Sequence, residues 1–255
     1  MPVMSEWFAQ SPCGVRFEWG PAGAAALAAS SSCLVIVDVL SFTTSVTVAV
    51  EAGTQVLPYP WRDETAAGFA RQNQARLAAG RRAASADSPW SLSPAALRRA
   101  PFTARLVLPS PNGSAISAAA ASGQATVVAA CLRNARAAGA WLTERSLGSR
   151  GRPVTVIAAG ERWPDGSLRP ALEDLLGAGA VIAALRDQGS GPLSPEAEAA
   201  RACYETTADP ARAVTDSASG RELAQGGFAD DVAIATEINS SSVTPVLTGQ
   251  AFTAG

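Results

Sequence analysis

The fold is decided by the stretch CLVIVDVLSFTT, residues Cys33 to Thr44. Its first half is a continuous apolar run of the kind found in strands that are buried on both faces of a parallel sheet. Ser41 can then cap a helix over residues 42–52, which Gly53 ends. A buried strand that passes through one aspartate, Asp38, into a helix predicts the centre of an α/β domain.

The rest of the chain repeats this strand-helix order. The pattern predicts strands at 55–58, 105–108, 126–130, 154–159 and 232–236, and helices at 63–79, 114–121, 134–145 and 170–188. Residues 195–221 are expected to be mostly helical, and residues 81–101 look like a loop. We therefore predict a layered α/β/α fold with a mostly parallel or mixed sheet. Residues 1–255 would form a single domain, or two similar lobes divided near 81–101.

The amino-acid composition limits the catalytic groups that the chain can use. The 255-residue chain contains no histidine and no lysine, so all 20 basic residues are arginine. This excludes Ser-His-Asp and Cys-His catalysis, histidine metal ligands, Schiff-base lysines and the P-loop lysine. A formal charge of −2 without a clustered basic face argues against a nucleic-acid partner.

The chain is expected to be cytoplasmic. Its four cysteines form no CxxC pair, which favours reduced thiols over a zinc site or a disulfide framework. The first ten residues lack the apolar core of a signal peptide. The longest apolar stretch, residues 33–50, is too polar for a membrane span. A homo-oligomer is possible, although nothing in the sequence specifies one.

Asp38 is the sharpest candidate for a functional residue. A carboxylate inside VIVDVLS is costly to bury unless it is paired, hydrogen-bonded or bound to metal. It also falls at the carboxyl end of its strand, where open α/β sheets place ligands. Asp38 could be a Mg²⁺ ligand or a nucleophile, or it could simply cap the following turn.

Two polar turns could hold a phosphate. Ser41, Thr43 and Thr44 offer hydroxyls and free N–H groups at a helix start, which suits an anion. Asn112-Gly113-Ser114 follows another strand, and Asn-Gly favours a positive φ that can aim successive N–H groups into a nest. Both turns could equally have only the structural role of joining a strand to a helix.

A third constellation runs from Ala158 to Gly179. Its loop carries Glu161, Arg162, Asp165 and Arg169, and the helix that follows carries Glu173 and Asp174. Two carboxylates in a first helical turn are favoured by the helix dipole. They are also hard oxygen ligands of the type that Mg²⁺ takes.

Taken in order, DVLSFTT, PNGSA, LEDLLGAGAVI and GFADDVAIA resemble the 2-phosphosulfolactate phosphatase family, from about residue 33 to residue 247. The resemblance implies a Mg²⁺-dependent α/β phosphatase that releases phosphate from 2-phospho-3-sulfolactate in coenzyme M biosynthesis. It implies metal binding and catalysis by Asp38, Glu173 and Asp174. Phosphate would be held by the turns at Ser41, Thr43 and Thr44 and at Asn112, Gly113 and Ser114.

Two departures from the family pattern affect substrate recognition. Ser41 and Ala115 stand where the pattern has arginine, so two anion-binding guanidinium groups are missing. We expect a small anionic phosphoester substrate, with Arg162 binding part of its charge. The alternative is a catalytically inactive protein that binds an anionic metabolite on the same scaffold.

Overall fold

The computed structural model describes residues 7–60, 63–85, 88–114, 116–117 and 125–255. Within these residues, nine strands form one mixed sheet and two more form a small hairpin. The strands are β1 (Val15–Trp19), β2 (Cys33–Val37), β3 (Gln55–Tyr59), β4 (Arg76–Leu77), β5 (Arg105–Pro109), β6 (Thr126–Ala130), β7 (Val154–Ala158), β8 (Glu161–Arg162), β9 (Leu168–Arg169), β10 (Pro245–Thr248) and β11 (Ala251–Ala254).

The α-helices described in these residues alternate with the strands over most of the chain. They are α1 (Gly20–Leu27), α2 (Phe42–Glu51), α3 (Glu64–Gln72), α4 (Pro94–Arg99), α5 (Ala135–Glu144), α6 (Leu172–Asp187), α7 (Pro195–Thr206), α8 (Pro210–Asp216), α9 (Ala218–Gln225) and α10 (Ala229–Ala235). The predicted α/β class is confirmed.

The large sheet has the order β1-β7-β2-β6-β10-β11-β3-β5-β4. The four strands at one end, β1, β7, β2 and β6, are parallel to one another, and so are the three at the other end, β3, β5 and β4. The β10–β11 hairpin joins the two groups through antiparallel pairings with β6 and β3. The predicted mixed sheet is therefore present, and β2 is an interior strand, third from one end.

Helices cover both faces of the sheet. Along β2, Val35 and Val37 pack in a core with α5, α6 and α7, whereas Leu34 and Ile36 pack in a core with α1, α2 and α4. Every residue of β2 is buried, as the continuous apolar run predicts. Alternate side chains of one strand thus belong to two cores, which makes three layers.

Most predicted elements have the predicted type, with two clear exceptions. The strand at 232–236 is wrong, because residues 232–235 lie in α10 and Thr236 caps it, and a short apolar run does not distinguish a strand from a helix. The helix at 63–79 ends early, at Gln72, and the chain then forms the edge strand β4. Part of the predicted helix at 114–121 lies outside the described residues, as does Ala115.

The loop predicted at 81–101 contains regular structure. It begins with a short 3-10 turn at Arg81–Ala83 and includes α4, which packs against α2 and α10. The loop between β7 and α6 likewise forms the β8–β9 hairpin. None of the helices in the described part of the chain is long and apolar enough to cross a membrane.

Candidate active site

Asp38 follows β2 directly and lies at the junction of several elements. Its Oδ1 accepts a hydrogen bond from the backbone N–H of Phe42 at 3.0 Å, and its Oδ2 accepts one from the N–H of Gly113 at 3.1 Å. Burial raises the pKa of Asp38 to about 6, against the lowering effect of these two hydrogen bonds. One carboxylate therefore joins the start of α2 to the turn after β5.

The hydroxyl groups of Thr43 and Thr44 hold the backbone after β2. Thr43 Oγ1 accepts from the N–H of Asp38 at 3.0 Å and donates to its carbonyl at 2.8 Å, and Thr44 Oγ1 donates to the carbonyl of Val39 at 2.8 Å. Both side chains are fully buried. Their predicted contact with phosphate stays a prediction, and in this structure their hydroxyls position the loop that carries Asp38.

Gly113 is needed for a close approach, not for a turn. The positive φ that the Asn112-Gly113 pair suggests is wrong, since neither residue adopts one. A Cβ atom on Gly113 would lie 2.2 Å from Phe42 Cδ1 and 2.9 Å from Asp38 Oδ2. Glycine lets the turn press against the ring of Phe42 and donate to Asp38. Ser114, next in the chain, is buried, and its hydroxyl donates to Leu108 O at 3.2 Å.

Glu173 and Asp174 start α6 but differ in their surroundings. Asp174 accepts from the N–H of Val39 at 2.7 Å and from the N–H of Gly160 at 2.8 Å, so its two oxygens tie the ends of β2 and β7 together. Burial and the nearby charges of Asp38 and Glu173 raise the pKa of Asp174. Glu173 is 2% exposed, and its carboxylate has no hydrogen-bond partner among the described residues.

Glu161 brings a further carboxylate to the site from the carboxyl end of β7. Its Oε2 accepts from Asn112 Nδ2 at 3.1 Å, and the Oδ1 of the same asparagine accepts from Arg162 Nε at 3.3 Å. Burial raises the pKa of Glu161 to about 7, and the charges of Asp38 and Glu173 add to the effect. The structure thus brings Asn112 and Arg162 together, with Arg162 at the exposed edge.

Arg81 and Asp231, neither of which we predicted from the sequence, belong to the same region. Arg81 Nη2 donates to Ser41 Oγ at 2.5 Å, and its Nε lies 3.2 Å from Asp231 Oδ2, an ion pair not aligned as a hydrogen bond. Asp231 Oδ1 accepts from Ser93 Oγ and from the N–H of Ala95 at the start of α4. The GFADD motif could have pointed to Asp231, whereas no local pattern marks Arg81.

Negative charge exceeds positive charge in this cluster. Asp38, Glu161, Glu173 and Asp174 act on one another, and burial together with their mutual repulsion explains the raised pKa values. Hard oxygen donors in such an environment suit a divalent cation. In the described residues, no three Cys, Asp or Glu side chains are grouped closely enough to hold a metal by themselves. Mg²⁺ commonly takes only one or two carboxylates, with water and substrate phosphate as the remaining ligands.

The fold and this cluster define an α/β protein with an acidic site at the carboxyl ends of its strands. Comparison with known proteins then identifies the family. The model of the 2-phosphosulpholactate phosphatase family matches residues 23–250. A relative from Thermus thermophilus, described as a probable 2-phosphosulfolactate phosphatase, is 28% identical over 220 residues, which cover 85% of this chain and 88% of the relative. The chain belongs to the 2-phosphosulpholactate phosphatase family, as the sequence motifs indicated.

Proposed function

We propose that the protein is a Mg²⁺-dependent phosphatase that hydrolyses a small anionic phosphoester of the 2-phosphosulfolactate type. The observation that carries the proposal is Glu173. This residue is 2% exposed, and in addition to burial its charge raises the pKa values of Asp38, Glu161 and Asp174, so these carboxylates repel one another unless a cation compensates them. Membership of a phosphatase family supports the same reading.

Asp38 and Glu173 would hold the metal ion. The chemistry that a bound Mg²⁺ supplies is neutralisation of charge on the phosphoryl oxygens and positioning of the reacting groups. Asp174 accepts hydrogen bonds from the N–H groups of Val39 and Gly160, and we assign to it the positioning of the ends of β2 and β7. Two carboxylate ligands suit Mg²⁺, which keeps several water ligands.

The start of α2 would bind the phosphate. The N–H groups of Ser41 and Thr44 donate to no described residue, and they lie at the positive end of a ten-residue helix. Asn112 would orient Glu161 and Arg162 at the edge of the site, where Arg162 binds substrate charge. The missing histidine is no obstacle, because every role uses a carboxylate, an amide, a hydroxyl or an arginine.

Phosphate release from a panel of phosphoesters that includes 2-phosphosulfolactate, with Mg²⁺ and with chelator, tests the proposal. We expect turnover that Mg²⁺ stimulates and chelator abolishes. Glu173→Gln should lose nearly all of it without a fall in melting temperature, since the substitution breaks no hydrogen bond within the described residues and removes one of several carboxylate charges that repel one another. Its matched control is Glu196→Gln, an exposed glutamate in the first turn of α7.

The outcomes separate the phosphatase from the alternative, a non-catalytic protein that binds an anionic metabolite. Phosphate that raises the melting temperature without turnover of any phosphoester would favour the alternative. Equal activity of Glu173→Gln and Glu196→Gln would remove Glu173 from the site. Activity that chelator leaves unchanged would exclude the metal.

A further inference from the structure

The guanidinium of Arg81 is anchored at one edge and open at the other. Nε faces Asp231 Oδ2 at 3.2 Å, and Nη2 reaches Ser41 Oγ at 2.5 Å and Leu92 O at 3.4 Å. Nη1 contacts no hydrogen-bond acceptor among the described residues. The side chain is only 19% exposed, so this nitrogen is held in place without being used by the protein.

Asp231, which anchors Arg81, is itself held in place by hydrogen bonds. Asp231 is buried at the start of α10, and its other oxygen accepts from Ser93 Oγ at 2.5 Å and from Ala95 N at 3.1 Å. Asp231 thus connects α10, the start of α4 and the turn that carries Arg81. Fixing a guanidinium before a ligand arrives reduces the entropy lost on binding.

Arg81 is also placed among the carboxylates of the site. Burial lowers the pKa of Arg81, whereas the nearby negative charges of Asp38 and Glu161 raise it. Its contact with Ser41 puts it at the residue that precedes α2, where N–H groups are free. An anion at the start of this helix would meet a guanidinium as well as the helix dipole.

We propose that Arg81 binds the anionic group of the substrate next to Asp38, and that Asp231 is the positioning residue that aims it. The position that lacks an arginine in the sequence, Ser41, is thereby supplied with a guanidinium from a distant turn. Arg81, and not Arg162 alone, provides the positive charge of the site. This inference rests on the proposed function, because a phosphoester is the anion considered.

Arg81→Gln tests the inference, and Arg82→Gln is its matched control. Arg82 is the next residue of the same 3-10 turn and is exposed. Calorimetric titration with inorganic phosphate, with Mg²⁺ present, should show affinity reduced about 10- to 100-fold in Arg81→Gln, because charged hydrogen bonds are strong. Arg82→Gln should bind as the wild type does. In turnover, Arg81→Gln should raise KM by a similar factor with a smaller change in kcat.

The double variant Arg81→Gln/Asp231→Asn guards against misfolding. It removes both members of the ion pair, so no charged carboxylate is left buried without its partner. It should fold and still bind phosphate weakly, while a purely structural Arg81 would leave its affinity at the wild-type value. Equal affinity and KM in Arg81→Gln and Arg82→Gln would overturn the inference, even in an active enzyme. Phosphate binding that depends on Arg81, in a protein without turnover, would support it and refute the phosphatase.

Discussion

Replacing Gly113 with alanine should disrupt the site through a steric clash. The added Cβ would lie 2.2 Å from Cδ1 and 2.7 Å from Cγ of Phe42, and 2.9 Å from Oδ2 of Asp38. Phe42 cannot easily move, because it is fully buried and its ring packs edge-on against Phe252 with centroids 6.3 Å apart. Overpacking of this kind costs about 1–3 kcal/mol. In a chain of this size that is a fall in melting temperature of roughly 2–12 °C.

The same substitution should also lower activity, because the Gly113 N–H can no longer reach Asp38. Thermal unfolding and steady-state kinetics measure the two effects. Gly68→Ala is the control: Gly68 lies in α3, where the nearest atom to an added Cβ is a flexible arginine nitrogen at 4.0 Å. That change should stabilise the protein by about 0.5–1 kcal/mol. If Gly113→Ala melts and turns over like the wild type, the close approach that we describe does not exist.

Three further predictions follow from the hydrogen bonds and charges. Asp174→Asn should destabilise the fold by about 1–3 kcal/mol, because one of two buried N–H groups loses its acceptor; denaturant unfolding checks this, and an unchanged midpoint would contradict it. Thr43→Val should cost a similar amount and Thr43→Ser much less, since only valine lacks the hydroxyl that bridges the backbone of Asp38; equal melting temperatures would refute the role. Glu237 pairs with Arg133, and hydrogen bonds from Arg98 and the charge of Arg133 lower its pKa from 4.5 to about 2. Its stabilising effect is complete above pH 4.5 and declines toward pH 2, so Glu237→Gln should lower the melting temperature at pH 7 more than at pH 3; a gap that does not narrow would be contrary evidence.

The centre of the fold could be predicted because local signals agreed there. The apolar run of β2, the polar start of α2 and the glycine after it specify strand and helix within a few residues of each other. In the short segment of α10 the local signals do not agree in this way, since a run of four apolar residues fits a strand as well as a helix. The β10–β11 hairpin is not predicted either, because the strands that flank it in the sheet, β6 and β3, lie far away in sequence.

Within the site, residue types were easier to predict than their partners. Asp38, Asn112 and Asp174 stood out as polar residues at strand or helix ends, and the structure brings them to one cluster. Arg81 could not be found in this way. Its contact with Ser41 joins residues 40 positions apart, and its environment depends on the packing of α4 and α10. A charged residue that a distant element contributes to a site has no characteristic spacing in the sequence from which it could be predicted.

In the function that we propose, phosphoester hydrolysis takes place at Asp38. The most direct test is the rate of phosphate release from 2-phosphosulfolactate with Mg²⁺, measured for the wild type and for Asp38→Asn with both proteins shown to be folded. We expect steady turnover by the wild type and a loss of at least about 100-fold in the variant, as when a group that stabilises the transition state is removed. Wild-type turnover by Asp38→Asn would contradict it.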